Sequence, residues 1–120
     1  MRKMCEESKE FMENRRLLNE IVMRYGGKEI KRFFNLDTQV YREGMLSKKT
    51  KELLGLVASM VLICDDCVKY HLIRCFEEKV NDYELQEALT AALVVGGSIT
   101  IPHVRRAFGF WDEMKKERGI

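Results

Sequence analysis

A single proline and eight glycines in 120 residues leave too few turn-forming positions for an all-β sandwich or barrel, which breaks its chain every few residues. Long apolar runs are missing as well. The longest, residues 53–63, covers 11 positions, well short of the roughly 20 that span a bilayer. No charge of one sign dominates: 21 Lys and Arg face 19 Asp and Glu, giving a formal net charge of +2. Lys48, Lys49 and Lys51 form a short, interrupted cluster that reads as a solvated helix face. The extended basic stripe with which a protein neutralises nucleic-acid phosphates is absent. The first twenty residues alternate charged and apolar positions around no apolar centre, so they do not read as a secretory signal. These absences predict a cytoplasmic protein with neither a membrane nor a nucleic-acid partner.

What is present favours helices. Hydrophobic residues make up 46% and charged residues 33%, enough for one buried core under a solvated surface. Leu, Ala, Glu, Lys and Met are good helix formers. Met4, Phe11, Leu18, Ile21, Val22 and Tyr25 follow the three-and-four spacing of one amphipathic helix over residues 2–25, which Gly26 and Gly27 stop. Residues 28–44 are less regular and predict two short helical turns separated by a break around Asn35 and Asp37. Ser47 is placed to cap a helix whose stretch 53–63 is apolar on most sides and so expected to be buried. A further helix is expected over residues 64–79. Asn81 and Glu84 have capping-box spacing and open another helix, with Leu85, Ala88, Leu89, Ala92 and Val95 inward, closed by Gly96 and Gly97. A hairpin turning at those glycines is the alternative. The last helix is expected over residues 100–117, with Pro102 in its first turn. The fold class is therefore all-α: a single domain over residues 1–120, with N-terminal helices in 1–43 and a helical core in 44–117.

Chemistry concentrates in one place. Cys64 and Cys67 form a CxxC, followed by His71 four residues after the second cysteine. Helical spacing puts these three on one face. A helix start is also where backbone N–H groups and the dipole favour a thiolate, the reactive form. In a reducing compartment a close pair points to redox cycling or to metal rather than to a structural disulfide. A dithiol and disulfide centre fits best. A zinc site of Cys64, Cys67, His71 and a fourth ligand, Glu52 or His103, stays open, although structural zinc usually draws on two separated pairs. So does plain packing of the two cysteines with a satisfied histidine. Val68, where a c-type haem site needs His, excludes that cofactor. The lack of a βαβ setting excludes a thioredoxin fold. Cys5, Cys75, Phe108, Trp111 and Met114 read as core or contact residues, and His103 as a surface or packing residue.

Gly44, Leu46, Ser47, Lys51, Glu52 and Leu53, then Cys64, Cys67 and His71, then Glu84, Glu87, Ala88, Gly96 and Gly97 form a pattern that resembles the carboxymuconolactone decarboxylase family, and within it the alkyl hydroperoxidase D type. The resemblance covers residues 44–112, and its most specific part is the spacing Glu-x11-Cys-x2-Cys-x3-His. It implies a helical fold, assembly into trimers or hexamers, and reduction of a hydroperoxide substrate by the cysteine pair without a cofactor, with electrons from an unidentified dithiol reductant. It also implies that Cys67 becomes the sulfenic acid, that Cys64 closes the disulfide, and that Glu52 and His71 relay the proton. Two departures stand out. Asp66, preceded by Asp65, replaces a His before the second cysteine, and nearby carboxylates oppose thiolate formation. Lys79 or Val80 stands where a Gly usually precedes the next helix cap.

Glu52 is the residue hardest to bring to the cysteines. It lies ~18 Å before Cys64 along a straight helix. If the chain reverses near Ile63, His71 returns ~10 Å. The expected axial offset of about 8 Å is one that a tilted crossing, a long Glu side chain and a water could bridge, and the alternative is a structural role for Glu52 as a first-turn carboxylate that favours the helix dipole.

Overall fold

Capping and turn chemistry set the element boundaries in a computed structural model that describes residues 2–119, with side chains from Glu7 onward. Helix α1 runs Arg2–Tyr25 and stops at Gly26 and Gly27, and α2 follows at Lys28–Val40. Ser47 begins α3, Lys48–Val61, its hydroxyl accepting from the Thr50 N–H at 3.0 Å. Cys64 caps α4, Asp65–Glu77. Asn81 caps α5, Asp82–Gly96, through a complete capping box with Glu84, its bonds 2.8 and 2.9 Å long. A 3₁₀ turn at Ser98–Thr100 leads into α6, Ile101–Arg118, with Pro102 in the first turn, where no N–H is needed. The stretch in which a hairpin was the alternative is therefore helical on both sides of a break at Gly97.

The helices α3 and α4 form an antiparallel hairpin, α5 packs on α3, and α6 lies against α4 and α5 and is packed by α1. Leu56 and Met60 of α3, Leu72 and Cys75 of α4, Leu85, Leu89 and Ala92 of α5, and Phe110 and Met114 of α6 make the core. Phe76 meets Trp111 edge to face at 5.2 Å. The Trp111 indole N–H donates to Asp82, which also receives Lys115 at 2.6 Å, tying the start of α5 to α6. The Lys115 and Trp111 hydrogen bonds hold the Asp82 carboxyl below its usual range.

Three expectations need correcting. Residues 28–40 form one uninterrupted helix, because neither proline nor glycine interrupts the backbone. The stretch 53–63 buries one face only: Leu54 and Leu62 are exposed while Leu56, Ser59 and Met60 are buried. Val95 likewise lies on the exposed side of α5.

The lysine cluster does more than face water. Lys49 pairs with Glu84 at 2.9 Å, and the Lys51 ammonium donates to the carbonyls of Val40 and Arg42, both at 2.8 Å. Those carbonyls lie at the end of α2, where no intrahelical donor remains, so Lys51 caps α2 from α3. Helix α2 buries no residue of its own. Among the described residues, no helix is long and apolar enough to cross a membrane.

Candidate active site

The α3–α4 turn builds the site. Cys64 N–H reaches back to the Ser59 carbonyl and Ile63 N–H to Met60, so Ile63 closes the helix in the left-handed region at φ 57°. A β-branched residue adopts that region at a cost, and here it delivers Cys64 to the first position outside α4. The Cys64 sulfur accepts from the Cys67 N–H at 3.2 Å, and the two cysteines are joined in a disulfide. Cys67 is exposed and Cys64 half-buried. The pair thus stands at the positive end of α4, where a released Cys64 thiolate would keep one backbone donor and the dipole.

The neighbouring carboxylates are partly answered by α6. Asp65 accepts from His103 at 2.7 Å and lies 3.4 Å from Arg106. Burial pushes the Asp65 carboxyl up, but the His103 and Arg106 contacts outweigh it and hold it below its usual range. His103, read from sequence as a surface or packing residue, is the partner of the residue next to Cys64. Lys69 lies 3.5 Å from Glu7 of α1.

Glu52 is 1% exposed, and its carboxylate makes a direct 2.9 Å hydrogen bond to His71 Nδ1. No bridging water is required. Residues 62–64 complete the reversal outside both helices, so Glu52 stands ~13 Å from the end of α3 and His71 ~9 Å from the start of α4, an offset small enough for the side chains to close. A carboxylate accepts only, so Nδ1 carries the proton and Nε2 is left with the free lone pair. Arg74, one turn beyond His71, sets its buried Nε 3.7 Å from the other Glu52 oxygen. The His71 ring lies between Tyr41, at 5.4 Å between centroids, and Tyr70, at 5.5 Å. Burial pushes the Tyr41 phenol above its usual range, reinforced by Asp37, Glu52 and Tyr70.

Cys67 and His71 line one cavity of about 390 Å³ beneath α1 and α2, with Phe11, Arg15, Leu18 and Asp37 on its other walls. The Arg15 guanidinium lies 3.9 Å above the Tyr70 ring. A second hollow, about 220 Å³, reaches Glu52 from beside Tyr41 and Arg74. Cys75 is fully buried, its thiol pushed up to about 12 by burial and by the charges of Glu52 and Glu78. Cys5 lies outside the described side chains. Among the described residues, no three His, Cys, Asp or Glu side chains are grouped to hold a metal ion.

The structure thus joins Glu52 to His71 and Cys64 to Cys67, and opens Cys67 and His71 to one cavity. Tyr41, Tyr70, Arg74 and Arg15 were not singled out by the sequence. Only Arg74 had a signal there, a charge one turn from His71 on the same face.

The model of the carboxymuconolactone decarboxylase family matches residues 29–109. Two crystal structures of a Thermotoga maritima protein are 59% identical to this chain and cover 92% of it. The alignments span 97% and 95% of those chains, with TM-scores of 0.91 and 0.86. That protein is described as a carboxymuconolactone decarboxylase family protein suggested to take part in the antioxidative response. A Legionella pneumophila protein of the same family shares the fold at 20% identity, with a TM-score of 0.81 over 90% of this chain and 96% of its own. An uncharacterised Paracoccus denitrificans protein of the cox locus is 26% identical over 82 residues, 68% of this chain and 74% of that protein.

Proposed function

The chain belongs to the carboxymuconolactone decarboxylase family, and from that premise we propose that it is a thiol-dependent peroxidase that reduces organic hydroperoxides through Cys64 and Cys67. The observation that carries this reading is the disulfide-linked pair at the α4 N-terminus, with its outer sulfur in the cavity that the Glu52-paired histidine also lines.

In the reduced protein His71 Nε2 takes the Cys67 proton, and Glu52 balances the imidazolium. The Cys67 thiolate attacks the terminal peroxide oxygen; a sulfur–oxygen bond forms, the O–O bond breaks, and the alkoxide leaves as an alcohol with the proton held by His71. Cys64 then gives its proton to the leaving hydroxyl, and its sulfur attacks the Cys67 sulfenic acid, expelling water and closing the disulfide. An external dithiol attacks the exposed Cys67 sulfur, Cys64 departs as a thiolate stabilised at the helix start, and the reductant's second thiol releases Cys67. Hydroperoxide and dithiol become alcohol, water and disulfide. The reaction needs no cofactor, and the working form is a cytoplasmic trimer or hexamer, a reading supported by the unburied apolar face of α2.

The test is stoichiometric. The protein is reduced, freed of reductant and metal, and given one equivalent of cumene hydroperoxide. The reading expects two thiols lost, both at Cys64 and Cys67 by peptide mapping, and one equivalent of alcohol. Intact thiols with unchanged peroxide would overturn it and favour a binding protein whose CxxC is structural or holds zinc.

A further inference from the structure

The imidazole of His71 occupies space that a side chain at position 55 would need. Gly55 sits in the middle of α3, one turn after Glu52, in a backbone conformation that places no demand for glycine. A glycine in a helix interior weakens the helix relative to alanine. A Cβ built there would fall 2.6 Å from His71 Cε1, 2.7 Å from Nε2 and 2.9 Å from Nδ1. These approaches are all to one ring, and they involve both nitrogens.

The ring is held by its contacts. Tyr41 and Tyr70 flank it, Glu52 holds Nδ1 at 2.9 Å, and His71 is 8% exposed. Reaching an ordinary contact of about 3.5 Å with a Cβ would push the ring back by about 0.9 Å. A displacement of that size along the Glu52 bond lengthens it beyond hydrogen-bonding range.

We propose that Gly55 is a positioning residue: its missing side chain is the seat of the His71 imidazole, and it lets α3 present the Glu52 carboxylate and α4 the ring at direct hydrogen-bonding distance. The groups that face the ring are Glu52 from α3, Tyr41 after α2, and Tyr70 and Arg74 from α4, with Cys67 across the cavity. The catalytic part of the inference rests on the peroxidase reading above; the seat itself does not.

The experiment compares Gly55→Ala, His71→Ala and the double variant, all as full-length protein. Alanine in a helix interior normally stabilises. The denaturant midpoint is expected to fall for Gly55→Ala in the unmodified chain and to rise for the same change in the His71→Ala background, where the space is free. In proton NMR the hydrogen-bonded His71 Nδ1–H signal is expected to be lost or shifted in Gly55→Ala. The rate of cumene hydroperoxide reduction is expected to fall about 10²-fold at neutral pH. That deficit should shrink at alkaline pH, where Cys67 ionises without help from His71. A midpoint that rises in both backgrounds, or an unchanged Nδ1–H signal, would overturn the seat. A reversed midpoint with an undiminished rate would overturn the positioning role. Failure of the peroxidase reading shows separately, as an unmodified chain that leaves the hydroperoxide intact.

Discussion

Glu52 and His71, nineteen residues apart in the chain, share a buried 2.9 Å hydrogen bond across the α3–α4 hairpin, and His71 lines the same cavity as Cys67. The pair fixes the imidazole tautomer.

Substituting Glu52 by Gln keeps the shape but removes the charge, so the imidazolium formed on taking the Cys67 proton loses its counter-ion. Glu52→Gln and His71→Gln are each expected to slow peroxide reduction by about 10²-fold or more. Initial rates against pH check this, and full activity in Glu52→Gln would return that residue to a structural role. Glu52→Ala should also cost stability, about 1–3 kcal/mol, because it leaves the buried His71 Nδ1–H without its acceptor.

Cys75 should behave as an inert thiol. Burial raises it to about 12, so the folded state holds its proton where the unfolded chain, near 9, has released it. Its contribution to stability is fully present below pH 9 and lost as pH rises from 9 towards 12. Denaturation between those values should show stability falling, and Cys75→Ala should flatten that fall. Iodoacetamide at pH 8 on the reduced, folded protein should label Cys67 and leave Cys75 unmodified by peptide mass; prompt labelling of Cys75 would contradict its burial.

Lys79 and Ile63 close α4 and α3 in the left-handed region, at φ 65° and 57°. Lys79 is exposed, so Lys79→Gly removes only backbone strain and is expected to stabilise by about 0.5–1 kcal/mol after the entropy of a more flexible unfolded chain is subtracted. Ile63 is half-buried, and the same change there should yield little, because lost packing offsets the relief. Urea midpoints of the two variants test the contrast.

Helix α2 exposes Ile30, Phe33, Leu36 and Val40, and α1 exposes Leu17, Leu18 and Ile21, more apolar surface than an isolated protein of this size usually leaves bare. Light scattering is expected to give a trimer or hexamer at micromolar concentration, and Phe33→Glu to dissociate it. A stable 14.1 kDa monomer would contradict the assembly.

Much of this was legible beforehand, for local reasons. Ser47, Asn81 with Glu84, the Gly26–Gly27 stop and Pro102 each announce a helix end through chemistry confined to a few residues, and the structure uses all of them. The CxxC and His71 were visible through one-turn spacing on a single helix. What escaped depends on where helices meet. The reversal at residues 62–64 decides whether Glu52 reaches His71 directly, and no periodicity encodes it. Tyr41 and Arg15 arrive from α2 and α1, and His103 reaches Asp65 from α6, thirty-eight residues away. The continuity of α2 was hidden by Asn35 and Asp37, which read as a break, although Ile30, Phe33, Leu36 and Val40 keep the three-and-four spacing of one helical face.

The central claim, that Cys67 is the sulfur that meets the peroxide and Cys64 the one that resolves it, is tested most directly by trapping the intermediate. Reduced Cys64→Ser and Cys67→Ser proteins are each given one equivalent of cumene hydroperoxide in the presence of dimedone, and the adducts are mapped by peptide mass. The account predicts a stoichiometric sulfenic-acid adduct on Cys67 in Cys64→Ser and none on Cys64 in Cys67→Ser. An adduct on Cys64, or peroxide consumed at an unchanged rate without Cys67, would contradict it.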